Sequence, residues 1–173
     1  MLAIKLLPTW YAESIYKIDR KILKDNGIKN LFFDLDNTLV PFFYKVPDKK
    51  VISFVKELEK EGFNVIVTSN NTKNRVSTFA EPLKVKYLNS AGKPGIRKLK
   101  RYMEENGYSL DDTCIIGDQL LTDIITAKRL KIRSILLKPA CNKDLIKTKP
   151  NRFIDNRIRN KMFKKNLLNK MEG

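Results

Sequence analysis

Short apolar runs separated by amphipathic helical stretches constrain this chain most. The runs fall near residues 30–35, 64–69, 113–117 and 132–137, with a weaker one near 85–88. Between them the apolar spacing predicts helices near 48–61, 73–81, 94–106 and 120–130, with Gly62 and Gly107 punctuating helix ends. That alternation predicts an α/β protein built on a mainly parallel sheet. At 173 residues the chain is most simply one domain, with enough length for a substantial core. Open α/β sheets bind ligands at the carboxyl ends of their strands, so the residues that close each run matter most.

The first strong run closes as Phe32-Phe33-Asp34-Leu35-Asp36-Asn37-Thr38-Leu39-Val40. Two carboxylates two residues apart, followed by a hydroxyl, suit phosphoryl transfer through an aspartyl-phosphate. Asp34 would be the nucleophile, splitting one hard displacement into two easier ones. Asp36 would be the acid that protonates the leaving oxygen and the base that then activates water. Alone, the pair also fits an ordinary strand end with a solvated turn. The chemistry needs a donor for phosphoryl oxygens, a cation and a further carboxylate for a metal.

All three follow in order. The second run ends in Ser69 and Asn70, a hydroxyl and an amide able to hydrogen-bond a phosphoryl oxygen. Ala91-Gly92-Lys93-Pro94-Gly95 then offers Lys93 as a fixed positive charge. The run at Cys114 passes into Gly117-Asp118-Gln119-Leu120-Leu121-Thr122-Asp123, adding Asp118 and Asp123. Asp123 also fits a plain helix-start charge favourable to the helix dipole. Together the four carboxylates form a hard, all-oxygen donor set that favours Mg2+. The chain contains no His, which removes most zinc designs and every His-based triad.

These four blocks, in this order, resemble the haloacid dehalogenase (HAD) superfamily of phosphatases. In detail, Asp34-Leu35-Asp36-Asn37-Thr38-Leu39, Ser69-Asn70-Asn71, Gly92-Lys93-Pro94 and Gly117 to Asp123 are similar to the YqeG group of subfamily IIIA. The likeness runs from about Leu6 to Arg133, including Leu7-Pro8 and Gly27-Ile28-Lys29. It implies a HAD-like Rossmannoid three-layer fold with a mainly parallel central sheet. It also implies roles: Asp34 as phosphorylated nucleophile and metal ligand, and Asp36 as acid/base that binds metal through its backbone carbonyl. Thr38 supports the loop, Ser69 and Asn70 meet the phosphoryl group, and Lys93 stabilises its charge. Asp118 is a second metal ligand, and Asp123 helps directly or through water. Between Thr38 and Val65, and between Ser69 and Lys93, the gaps are too short for a separate cap domain. In this superfamily that implies an open site, suited to a bulky substrate. Relatives of the group include phosphatidylglycerophosphate phosphatases, which makes that lipid the leading substrate. Nucleotides or polynucleotide ends are the alternative, and a nucleic-acid or ribosome-associated protein with a vestigial site is the rival from another class.

Charge bears on the partner. The formal balance is +16, and the segment from Cys141 onward is especially basic. That favours polyanions, whether nucleic acid, ribosome or anionic membrane, and only the family resemblance puts an anionic phospholipid ahead of nucleic acid. An A/T-rich coding bias explains the same lysines and asparagines equally well. The division reads as a phosphatase domain over 1–140 and a basic, helical tail over 141–173, with 147–151 separating them. In the tail, Ile154, Ile158 and Met162 form one apolar stripe and Phe163, Leu167 and Met171 another. Such a helix either lies on a membrane surface or packs on its own domain. Leu6, Leu7, Trp10, Tyr11, Ile15 and Ile18 pose the same choice at the N-terminal end. Residues 1–7 make no convincing signal peptide. Two cysteines, Cys114 within a strand and Cys141 in a loop, suggest a reduced, cytoplasmic protein. If either amphipathic end meets lipid, its place is peripheral, on the inner membrane face.

Overall fold

The computed structural model describes residues 6–141 and 149–171. Its centre is a six-stranded sheet, parallel throughout. The strands are β1 (Trp10–Ala12), β2 (Asn30–Asp34), β3 (Asn64–Thr68), β4 (Lys86–Leu88), β5 (Thr113–Gly117) and β6 (Arg133–Leu137), in the order β1-β6-β5-β2-β3-β4. Among the described residues six α-helices join or follow them: α1 (Arg20–Asp25), α2 (Lys49–Lys60), α3 (Lys73–Ala80), α4 (Arg97–Asn106), α5 (Ile125–Leu130) and α6 (Lys149–Lys164).

The three layers follow from strand alternation. Successive side chains point to opposite faces, and both faces of β2 are buried. Leu31 and Phe33 join Val65, Val67, Cys114 and Ile116 in a core completed by Leu23 of α1, Phe54 and Leu58 of α2, and Phe79 of α3. Phe32, Ile66 and Ile115 face the other way, onto Leu99 and Met103 of α4 and Ala127 and Leu130 of α5. A neighbouring cluster packs Tyr11, Leu120, Ile124 and Leu136 against Ile158 and Met162 of α6. The helix ends carry ordinary signals. Asp48 caps α2 by accepting from the Val51 N–H, and Gly107 closes α4 in a left-handed conformation at φ 71°.

All five expected strands are present, and the sheet is parallel as expected. Two elements lie outside the expectation, β1 and α1. With β1 the choice at the N-terminal end is decided: Leu6, Trp10, Tyr11, Ile15 and Ile18 are buried, so this patch is core and not a membrane-facing surface. The helix expected from 94 begins at Arg97, after the turn around Pro94. The one expected over 120–130 opens as a π-helical turn, Leu120–Ile124, before α5.

The C-terminal segment docks on the sheet. Ile158, Met162 and Met171 are buried, whereas Ile154 is exposed, so two of the three residues of the first stripe face inward. The Tyr11 N–H donates to the Asn169 carbonyl, and the Met171 N–H donates to the Tyr11 carbonyl, both at 2.8 Å. These bonds occupy the free edge of β1, which would otherwise be open to pairing. The expected separator at 147–151 lies partly outside the described residues, and the stretch 1–5 lies wholly outside them.

Candidate active site

Asp34 ends the central strand β2, and the chain turns at once. The Leu35 carbonyl accepts from the Thr38 N–H at 3.3 Å and the Leu39 N–H at 3.0 Å, while the Asn37 N–H donates to the Val40 carbonyl at 2.7 Å. Asn37 sits at φ 63°, a left-handed position that asparagine tolerates better than most residues. The turn sends Asp34 and Asp36 to different partners. Asp36 accepts from Asn71 Nδ2 at 2.8 Å and from Arg75 Nη2 at 2.7 Å. Arg75, in the first turn of α3, lies outside the sequence expectation, because a single arginine in a lysine-rich chain carries no local signal.

Lys93 arrives from the loop after β4. Gly92 has φ 75°, which its missing side chain permits, and the Gly95 N–H closes the turn onto the Gly92 carbonyl at 2.8 Å. Both ends of the Asn70 amide hold this loop: Nδ2 donates to the Lys93 carbonyl at 2.7 Å and Oδ1 accepts the Lys93 N–H at 2.8 Å. Asn70 thus positions Lys93 and does not aim its amide at a phosphoryl group. The Lys93 ammonium lies buried, 2.6 Å from Asp34 Oδ1 and 2.6 Å from Asp123 Oδ1. Ser69 is also buried, and its hydroxyl accepts the Asn71 N–H at 3.1 Å. That uses a lone pair and keeps the hydroxyl hydrogen for another acceptor.

Beyond β5, Gly117 lets Asp123 fold back onto the strand end. A Cβ at Gly117 would collide with the Asp123 carboxyl group. Thr38 Oγ1 lies 3.2 Å from Asp118 Oδ1 and 3.5 Å from Asp34 Oδ2, between the two carboxylates. Helix α6 supplies what sequence reasoning missed. Arg152 Nη2 donates to Asp118 Oδ2 at 2.5 Å, and the Arg159 guanidinium donates to the Asp118 and Leu137 carbonyls. Asp155, between them, accepts the Leu120 N–H at 2.7 Å and the Leu121 N–H at 3.2 Å. Residues 152, 155 and 159 recur at helical spacing on one face, the only signal available in advance.

The structure therefore brings Asp34, Asp118 and Asp123 together, with one oxygen of each within 4.8 Å of the others. The Asp36 side chain stands outside that cluster, on Asn71 and Arg75. Burial pushes the Asp34 carboxyl well above the usual range, with Lys93 opposing and Asp123 and Asp118 adding to the rise. Burial likewise raises Asp118 against the pull of Arg152. Burial alone would lower Lys93, but Asp123 and Asp34 outweigh it and hold the ammonium charged. Three close carboxylates thus face too little positive charge, and their hard oxygens fit a divalent cation such as Mg2+.

Comparison with known proteins agrees with this geometry. Residues 90–159, from before Lys93 through Arg159, match the family model described as "HAD-hyrolase-like". The chain is 33% identical over 158 residues to "Probable phosphatase YqeG" of Bacillus subtilis (strain 168), covering 91% of this chain and 92% of that protein. Among solved structures, a HAD-family enzyme of Bacteroides thetaiotaomicron in complex with magnesium and inorganic phosphate superposes with a TM-score of 0.52 at 16% identity, over 70% of this chain and 98% of that one. A cobalt-bound deoxy-D-mannose-octulosonate 8-phosphate phosphatase of Haemophilus influenzae gives 0.51 at 15% identity, over 79% and 90%. These two likenesses speak for the fold, and the identity to YqeG across nearly the whole of both chains speaks for descent. The protein belongs to the HAD-like hydrolases, in the family of YqeG.

Proposed function

We propose that this protein is a Mg2+-dependent phosphatase acting through an aspartyl-phosphate at Asp34, with phosphatidylglycerophosphate as its substrate. The observation that carries the chemistry is the split between the two acids of the first motif. Asp34 lies against Lys93, while Asp36 lies on Asn71 and Arg75. Lys93 holds Asp34 Oδ1, so Oδ2 is the attacking oxygen. As the Asp34–phosphorus bond forms, the bond from phosphorus to the leaving alkoxide breaks, and Asp36 gives that alkoxide its proton. Asp36 then takes a proton from the water that attacks phosphorus, which frees inorganic phosphate and restores Asp34. Lys93 neutralises charge on the transferring group, and Ser69 has a hydroxyl hydrogen to offer it. Asp34, Asp118 and Asp123, with the Asp36 carbonyl, would hold Mg2+, which supplies the positive charge that lets a carboxylate approach a phosphate.

Two features support a lipid phosphate. The loops after β2 and β3 each lead straight into one helix, so the site stays open to a large surface. The formal balance of +16 favours an anionic one. Among the described residues no helix is long and apolar enough to cross a membrane. In this reading the protein meets the lipid as a peripheral protein.

The test is phosphate release from phosphatidylglycerophosphate in mixed micelles, with Mg2+ or chelator, for wild type and Asp34→Asn. Nucleotides, sugar phosphates and 3′- or 5′-phosphorylated oligonucleotides run alongside. Metal-dependent release from the lipid, lost in the variant, is the expected result. Turnover of another panel member alone would overturn the substrate and keep the mechanism. Silence across the panel would overturn both.

A further inference from the structure

The segment Pro41-Phe42-Phe43-Tyr44-Lys45-Val46-Pro47, which follows the Asp34 motif, does the opposite of what apolar residues do in a core. Phe43 is 54% exposed, Tyr44 47% and Val46 52%. The tip is nonetheless organised. The Tyr44 N–H donates to the Pro41 carbonyl at 3.0 Å. The Phe42 and Phe43 rings meet edge to face at 5.4 Å, and the Phe43 and Tyr44 rings lie 5.2 Å apart. Arg75 ties this tip to the site, since its Nη1 donates to the Lys45 carbonyl at 3.0 Å while Nη2 pairs with Asp36.

We propose that this aromatic loop is the surface by which the protein docks on an anionic phospholipid bilayer, setting Asp36 and Asp34 at headgroup level. The assignment rests on the phosphatase reading above and deepens it by naming the contact surface. Size argues against a protein partner. A stable protein interface takes roughly 20–30 residues a side, and this tip offers only Phe42 to Val46. A few aromatic side chains suffice to enter a bilayer interface, and tyrosine, with an apolar ring and a polar end, suits that depth. Charge argues for anionic lipid. Lys45 in the loop, Lys49 at the start of α2 and Lys73 at the start of α3 are all exposed. They stand where the chain leaves β2 and β3, at the sheet edge that carries the site. Apolar insertion and lysine attraction are the two signals that together hold a peripheral protein on a membrane.

The test is flotation of the full chain with phosphatidylcholine vesicles, with and without phosphatidylglycerol, at one ionic strength. Wild type is expected to float with the anionic vesicles, and Phe43→Ser/Tyr44→Ser to lose roughly tenfold or more of that partition while melting as wild type does. Phe43→Trp gives a second readout. Trp10 is buried, so a blue shift of emission on adding anionic vesicles reports the loop alone. A wild type that does not float, a double variant that floats equally well, or an emission spectrum of Phe43→Trp that vesicles leave unmoved would overturn the proposal. So would self-association, or binding of an RNA oligonucleotide, that the same double substitution abolishes. Flotation needs no turnover, so failure of the phosphatase reading shows separately, as absent hydrolysis of p-nitrophenyl phosphate by wild type with Mg2+.

Discussion

Replacing Arg152 with methionine removes the cation that faces Asp118 and keeps most of the side chain's volume. The Arg152 side chain is 8% exposed and that of Asp118 is fully buried, so the variant leaves a carboxylate with little water to solvate it. Breaking one partner of a buried pair costs about 3–5 kcal/mol. Arg159 still donates to the Asp118 carbonyl, which places the loss at the lower end, about 3 kcal/mol. For a chain of this length that is about 6–12 °C of melting temperature. The sign with pH follows from Asp118. Burial raises its folded pKa and Arg152 opposes the rise, so Arg152→Met lifts it further. A raised carboxyl contributes stability that is present in acid and lost as pH rises through the folded pKa. The deficit of the variant should therefore be small in acid and full near neutrality. In the proposed site Mg2+ would restore positive charge at Asp118, so it should raise the variant's midpoint more than it raises wild type's. Thermal and urea unfolding followed by circular dichroism, across pH and with Mg2+ or chelator, reads all three effects. A neutral-pH deficit below about 1 kcal/mol, or one that does not change with pH, would refute the reasoning.

Other changes test the site's neighbours. Gly117→Ala drives a methyl into the Asp123 carboxylate and should cost about 100-fold or more in kcat, whereas Gly62→Ala, strained by its φ of 93° but lying before β3 and away from the site, should destabilise the fold and leave kcat near wild type in the same assay. Arg75→Gln frees the Asp36 carboxylate from its guanidinium and should lower kcat about tenfold with a smaller change in KM, read with a soluble phosphomonoester. Burial pushes the Cys114 thiol up, so a disulfide-exchange reagent at neutral pH should titrate Cys141 in the native protein and reach Cys114 only in urea. Two fast thiols in the native state would show that β5 opens readily.

What could be read ahead of the structure was local. Strands β2, β3 and β5 are buried along nearly their whole length, so they appear as unbroken apolar runs, and the acids that close β2 and follow β5 mark the sheet's carboxyl edge. The missed elements are short. Three residues of β1 and six of α1 are too few for periodicity to register. The missed partners are distant. Arg152 and Asp118 meet across 34 positions, and nothing near either residue announces the other. The tail misleads for the same reason. Its inward face belongs to Arg152, Asp155 and Arg159 as well as to Ile158 and Met162, so an apolar stripe alone misplaces Ile154. Phe43 and Tyr44 show the reverse limit. Hydrophobicity predicts a preference for burial, and only the fold shows that no core is within their reach.

The docking of α6 also sets an order in time. Synthesis delivers Asp34 first, then Lys93, then Asp118 and Asp123, and only afterwards the arginines that steady Asp118. A chain still emerging from the ribosome has Asp34 and Lys93 in hand while Asp118 lacks its buried counter-charge. The residues that close the edge of β1 come later still. The carboxylate cluster and the sealing of the sheet therefore mature together only once α6 and the residues after it are made, and a fragment ending before residue 150 should be both a poor catalyst and prone to pair through its open edge.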